Sequence, residues 1–227
     1  MIGPTVFADV PIWSGPQLSG NWDVIRYYTL QHLRYTVIAV TLGTAVALPL
    51  SYLALRRPGT YPALLVATNV IYAIPSIALF VMLGPWLGFT NDKPIVTAMV
   101  LYTLVILVRN IVEAVRSVPP AVVRAADGMG YRPLRRFLVV ELPLAVPGIV
   151  AGLRLATVST VSLISVGALI GRGALGRLFS DGRARGIAVE LWAGLIAVVV
   201  LALVLDALLV VAGRLATPWR RATRARS

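Results

Sequence analysis

Five apolar runs, each long enough to cross a membrane as a helix, leave this chain few ways to fold. They lie at about Tyr35–Leu55, Pro62–Leu87, Ile95–Val115, Leu144–Ile170 and Val189–Leu215. A helix needs about 20 mostly apolar residues to cross a hydrocarbon layer roughly 30 Å thick. The whole chain is 58% hydrophobic and only 13% charged over 227 residues, where a soluble domain has roughly 45–50% and 25%. So much apolar surface has no place to hide in water. The expected fold class is an all-α integral membrane protein with about five transmembrane helices in a single domain, residues 1–227. Residues 1–32 are mixed polar and aromatic and are expected to form an external, interfacial segment. Residues 116–143 form a hydrophilic loop, and 216–227 a basic tail. No soluble domain, low-complexity tract or internal repeat is visible.

The formal charge of +12 is explained by loops that face the cytoplasm, where Arg and Lys accumulate and meet anionic lipid. Nucleic acid is not expected as a partner, because no surface that interleaves aromatic with basic residues accompanies the charge. With the N-terminus outside, Arg56 and Arg57, the loop bearing Arg116, Arg124, Arg132, Arg135 and Arg136, and the tail with Arg220, Arg221, Arg224 and Arg226 all fall inside. Arg172, Arg177, Arg183 and Arg185 then face outward against Asp181 and Glu190, an exception to the same rule. The expected location is a cell membrane, crossed several times, with the C-terminus cytoplasmic. Neither a basic n-region nor a small-residue cleavage site opens the sequence, so no signal peptide is expected.

Chemistry-bearing residues are few. There is no cysteine, hence no disulfide framework or thiolate metal site. His32 is the only histidine, which excludes a histidine-based metal centre, and it reads as an interfacial side chain at the outer edge of the first span. No Gly-x-x-x-x-Gly-Lys-Ser/Thr segment is present and Lys93 is the sole lysine, so the chain lacks the usual cradle for ATP phosphates. No catalytic residue, metal ligand or resident cofactor is expected.

The hydrophilic loop carries the most specific pattern: Arg124-Ala125-Ala126-Asp127-Gly128-Met129-Gly130, then Val140-Glu141-Leu142-Pro143. Ala125 and Ala126 allow close approach to a partner. Gly130 offers the left-handed conformation that ends a short helix, and Pro143 and Pro147 suit the first turn of the helix that follows. The pattern resembles the Glu-Ala-Ala…Gly…Ile-x-Leu-Pro loop of the membrane subunits of ABC importers. Further segments extend the resemblance from about Gln31 to Asp206. They are Gln31-His32-Leu33, Ile74-Pro75-Ser76-Ile77-Ala78-Leu79, Val108-Arg109-Asn110, Ala151-Gly152-Leu153-Arg154 and Gly171-Arg172-Gly173-Ala174-Leu175-Gly176. Together they are similar to permeases of osmoprotectant importers, which carry glycine betaine, carnitine, choline or proline. Arg124 stands where the family usually has Glu, Ala73 where Thr is usual, and Arg172 and Ala174 interrupt the Gly-rich segment.

The resemblance implies the type I ABC importer permease fold and a transport subunit without its own ATPase site. Arg124, Ala125, Ala126, Gly130, Leu142 and Pro143 would couple it to separate ATPase subunits, which bind ATP and Mg²⁺. It also implies a second permease subunit, the same or a homologous chain, and an extracytoplasmic substrate-binding protein. A permease for methionine or another small polar solute shares the docking loop, and a non-transport membrane scaffold stands as the alternative class.

Two features of the spans complete the reading. Thr157, Thr160, Ser162 and Ser165 set hydroxyls along the fourth span, where they either line a translocation path or help helices pack in lipid. Arg154 and Asp206 lie at comparable depth in the fourth and fifth spans. Charges inside spans tend to face protein and pair, so the two are expected to form an intramembrane ion pair. Tyr72, Trp86 and Tyr102 are available for cation–π recognition, but the sequence does not assemble them into a cage.

Overall fold

The computed structural model describes residues 22–57 and 59–219; the far N-terminus and the arginines of the tail lie outside them. Nine α-helices are described: α1 (Trp22–Arg56), α2 (Thr60–Ala73), α3 (Ser76–Leu87), α4 (Lys93–Arg116), α5 (Pro120–Gly128), α6 (Pro133–Arg136), α7 (Leu142–Val166), α8 (Gly176–Arg185) and α9 (Ala188–Ala216). A π-helical turn, Phe137–Glu141, joins α6 to α7, and a 3₁₀ turn, Gly167–Ile170, follows α7. No strand occurs among the described residues.

Four stretches are long and apolar enough to cross a membrane: α1, α4, α9, and Pro133–Ile170 as one run. The second apolar run, Pro62–Leu87, is not one straight helix. It breaks between α2 and α3 with a bend of 95°. Pro75 explains the break, since a proline disfavours helical backbone at the residue before it and donates no N–H. Pro75 itself is extended, at φ −56° and ψ 135°.

Two other boundaries differ from expectation. α1 is already helical at Trp22, well before Tyr35, because tyrosines and arginines are tolerated along a helix. The span expected to start at Leu144 instead runs on from Pro133 through the π-helical turn. The widened turn lies just before Pro143, whose ring would otherwise strike the carbonyl of Val139 four residues back.

The described residues gather into two compact units. One comprises those up to Val40, with Ile74–Val100 and Thr157–Val204; the other comprises Thr41–Ala73, Leu101–Ala156 and those from Leu205 onward. In the first unit Phe80, Ile95, Met99, Ile164 and Leu175 are fully buried. There the His32 Nε2–H donates to the Val161 carbonyl at 3.0 Å, and His32 is 0% exposed. The interfacial placement expected for His32 is therefore corrected: the earlier start of α1 puts it inside a helix, where it bonds to α7. In the second unit Leu107, Val108, Ile111, Ala114 and Val115 of α4, with Val118 just beyond it, pack with Phe137 and with Ala145, Ile149 and Ala156 of α7. Gly152 makes that approach possible, since a Cβ on it would sit 2.5 Å from the Asn110 Cβ.

Candidate functional site

The hydrophilic loop folds into a capped, ion-paired element within the second unit. α5 starts with Pro120 at a position where a missing N–H costs nothing. Beyond its last residue, Gly128, the chain turns at Gly130, whose φ of 78° is a left-handed conformation that glycine adopts without penalty. The Gly130 N–H donates to the Asp127 carbonyl at 2.9 Å and the Tyr131 N–H to the Ala126 carbonyl at 3.2 Å. That pair of bonds is a Schellman turn, and it satisfies carbonyls that the end of a helix leaves open. Arg132 then runs extended into Pro133, the first residue of α6.

Charge-assisted hydrogen bonds fix this knob to its surroundings. Glu141, in the π-helical turn, accepts from Arg136 Nε at 2.6 Å and from Arg56 Nη2 at 3.1 Å, both on Oε1. Arg136 Nη1 also bonds Asp127 Oδ1, and Arg56 Nη2 reaches the Pro133 carbonyl at 2.8 Å. Such bonds are roughly twice as strong as neutral ones. They tie the end of α1 to α5, α6 and the base of α7. The Arg56 guanidinium also lies 5.4 Å from the centre of the Tyr52 ring, which packs on Phe137 at 4.9 Å.

The residues expected to couple the chain to an ATPase divide by position. Arg124, Ala125 and Gly130 are exposed, Ala126 is buried, and Leu142 and Pro143 are half-buried, with Leu142 packed against the apolar core. Arg56, Arg136 and Glu141 escaped the sequence reading in any structural role. Arg56 and Glu141 meet across 85 positions, and no local pattern carries that signal.

Comparison with known proteins decides the family. The profile of the binding-protein-dependent transport system inner membrane component matches residues 39–221. The chain belongs to that family. The osmoprotectant import permease protein OsmW of Salmonella typhimurium is 36% identical over 193 residues, covering 83% of this chain and 90% of that protein. The choline transport system permease protein OpuBB of Bacillus subtilis is 31% identical over 201 residues, covering 88% of this chain and 92% of that one. An inward-facing structure of the MetNI methionine ABC transporter superposes with a TM-score of 0.73 at 23% identity, over 95% of this chain and 100% of that chain; that likeness concerns the fold alone. As an inner membrane component of a binding-protein-dependent system, the chain is a multi-pass permease subunit of an ABC importer, a type of machine that works with an ATPase and a binding protein.

In this permease Arg154 and Asp206 are joined within the second unit by a two-pronged contact. Arg154 Nε donates to Asp206 Oδ1 at 2.7 Å and Nη2 to Oδ2 at 2.8 Å, the parallel fork that a guanidinium and a carboxylate match by shape. The four α7 hydroxyls expected along the path lie in the first unit. Thr157, Thr160 and Ser165 are buried, whereas Ser162 is exposed. Ser162 and Ser165 turn their hydroxyls back to the carbonyls of Val158 and Val161. Among the described residues Thr157 Oγ1 finds no partner. Tyr72 and Tyr102 meet edge to face at 5.9 Å, a packing contact that leaves no space for a ligand between them. Arg172, out of family pattern, pairs with Asp92 at 3.3 Å and bonds the Thr90 carbonyl, anchoring the Gly-rich segment to the turn before α4.

Proposed function

We propose that this permease imports osmoprotectants such as glycine betaine, choline, carnitine or proline, and that residues 116–143 couple it to the ATPase. The observation that carries the reading is a permease of this family whose relatives are named for osmoprotectant and choline import, bearing a rigid capped knob bound to α1 and α7. A knob on a hinge would absorb displacement. One tied through Glu141 to two long helices passes it on. Thr157, Thr160, Ser162 and Ser165 belong to the translocation path in this reading.

The chain carries no ATPase site of its own, and ATP with Mg²⁺ sits on the partner subunits. A second permease, the same chain or a homologue, completes the pore, and an extracytoplasmic binding protein delivers the solute. The N-terminus faces outward and the C-terminus the cytoplasm. Uptake of labelled glycine betaine, choline, carnitine, proline and methionine in a deletion strain, with and without the gene restored, tests the reading. Restored uptake of a quaternary ammonium solute or proline supports it. Restored uptake of methionine alone moves the substrate class elsewhere.

A further inference from the structure

The docking element has spent its negative charge internally. Residues 116–143 contain two carboxylates, Asp127 and Glu141, and Arg136 is bonded to both. Around them Arg124, Arg132 and Arg135 are exposed. Among the described residues none of the three is held by a carboxylate, and Arg135 lies over the Tyr131 ring at 5.1 Å. Between these cations stand large exposed apolar side chains, Met129 at 69% and Leu134 at 53%. The surface offered to a partner therefore interleaves exposed apolar side chains with arginines, and Asp127, its exposed carboxylate, is already held by Arg136.

We infer that the ATPase surface receiving this element is an apolar seat rimmed by carboxylates, with at least one acidic side chain facing Arg124. This rests on the coupling role proposed for residues 116–143 and adds the polarity of the contact. The partner's charge follows from complementarity: like charges across an interface are costly, and opposite rim charges steer association. A layer of anionic lipid headgroups would also attract arginines. It would not need Met129 and Leu134 set at fixed positions between them on a capped turn, which is a shape for protein to fit.

The test measures binding of the ATPase subunits to the permease in nanodiscs, one set of phosphatidylcholine alone and one containing phosphatidylglycerol, across a salt series. In neutral nanodiscs the combined R124E, R132E and R135E variant is expected to bind about tenfold more weakly at low salt, the scale of a few rim charges. Binding of the unaltered permease is expected to weaken as salt rises. The corresponding glutamine variants are expected to fall between the two. They and the salt series on the unaltered protein carry the test if the reversed variant does not fold. Gly130→Asp, which breaks the turn, should abolish binding at every salt concentration. If Gly130→Asp abolishes binding while reversal and salt leave it unchanged, docking stands and the acidic seat is wrong. If neither change affects binding, the coupling role itself is wrong. An effect of reversal seen only with phosphatidylglycerol present assigns the arginines to lipid and overturns the inference.

Discussion

Glu141 accepts two guanidinium bonds on one oxygen while its side chain is only 7% exposed. Substituting Gln keeps the size and removes the charge, leaving Arg56 and Arg136 with a neutral acceptor. Breaking a deeply buried pair costs 3–5 kcal/mol; here Arg56 reaches toward water, so the expected loss is about 2 kcal/mol. Thermal unfolding of Glu141→Gln in detergent should show it, and an unfolding midpoint equal to that of the parent would remove Glu141 from the role of anchor. At the second charged pair the expectation concerns coupling between residues. Arg154→Leu or Asp206→Leu alone should lower detergent stability and uptake, because each strands a charge inside a span. Changing both should recover much of the stability, and losses that simply add would mean the fork contributes nothing. This pair was legible in the sequence, because two lone charges at equal depth on oppositely directed spans have few other partners. The Glu141 cluster was not legible, because its members come from distant parts of the chain and each reads locally as an ordinary loop charge.

Elements followed the sequence wherever hydrophobic length decided the matter, and departed from it where backbone chemistry did. Apolar runs located α4 and α9 closely. They missed residues 22–34 of α1, whose tyrosines and arginines look like surface sequence although their backbone is helical. Pro75 was visible, but the size of the bend depends on packing that one residue does not encode. The π-helical turn left no sequence mark beyond Pro143. Close approach of α4 and α7 in the second unit depends on Gly152, which lies against Asn110. Gly152→Val should force the helices apart or push side chains off their rotamers, at a cost of about 1–3 kcal/mol for overpacking. A fall in the unfolding midpoint of the purified permease checks this, and Gly152→Ala should give a smaller fall. Equal stability of the valine variant would show that the helices can part without cost.

For the whole molecule the open question is direction across the membrane, and a chain without cysteine suits the measurement. Asn91→Cys is expected to react with an impermeant maleimide in intact cells. Arg132→Cys should react only after permeabilisation. The reverse pattern would invert the chain and place the docking element on the wrong side for an ATPase. The family and the helical class were legible before any coordinates, since motif order survives where contacts are invisible.

The unbroken run from α6 through the π-helical turn into α7 carries a further consequence. Each residue of an α-helix advances the backbone by 100°. The extra residue held in Phe137–Glu141 therefore sets the azimuth of everything beyond it. Arg136, before the turn, must aim at Asp127 and Glu141, while Arg154, beyond it, must aim at Asp206. Removing one residue from the turn would leave a regular helix with its two ends out of phase by about a quarter turn. One of the two guanidinium contacts would then have to be abandoned. The bulge works as a keyway, clocking the end that holds Asp127 and Glu141 to the end that meets the neighbouring span.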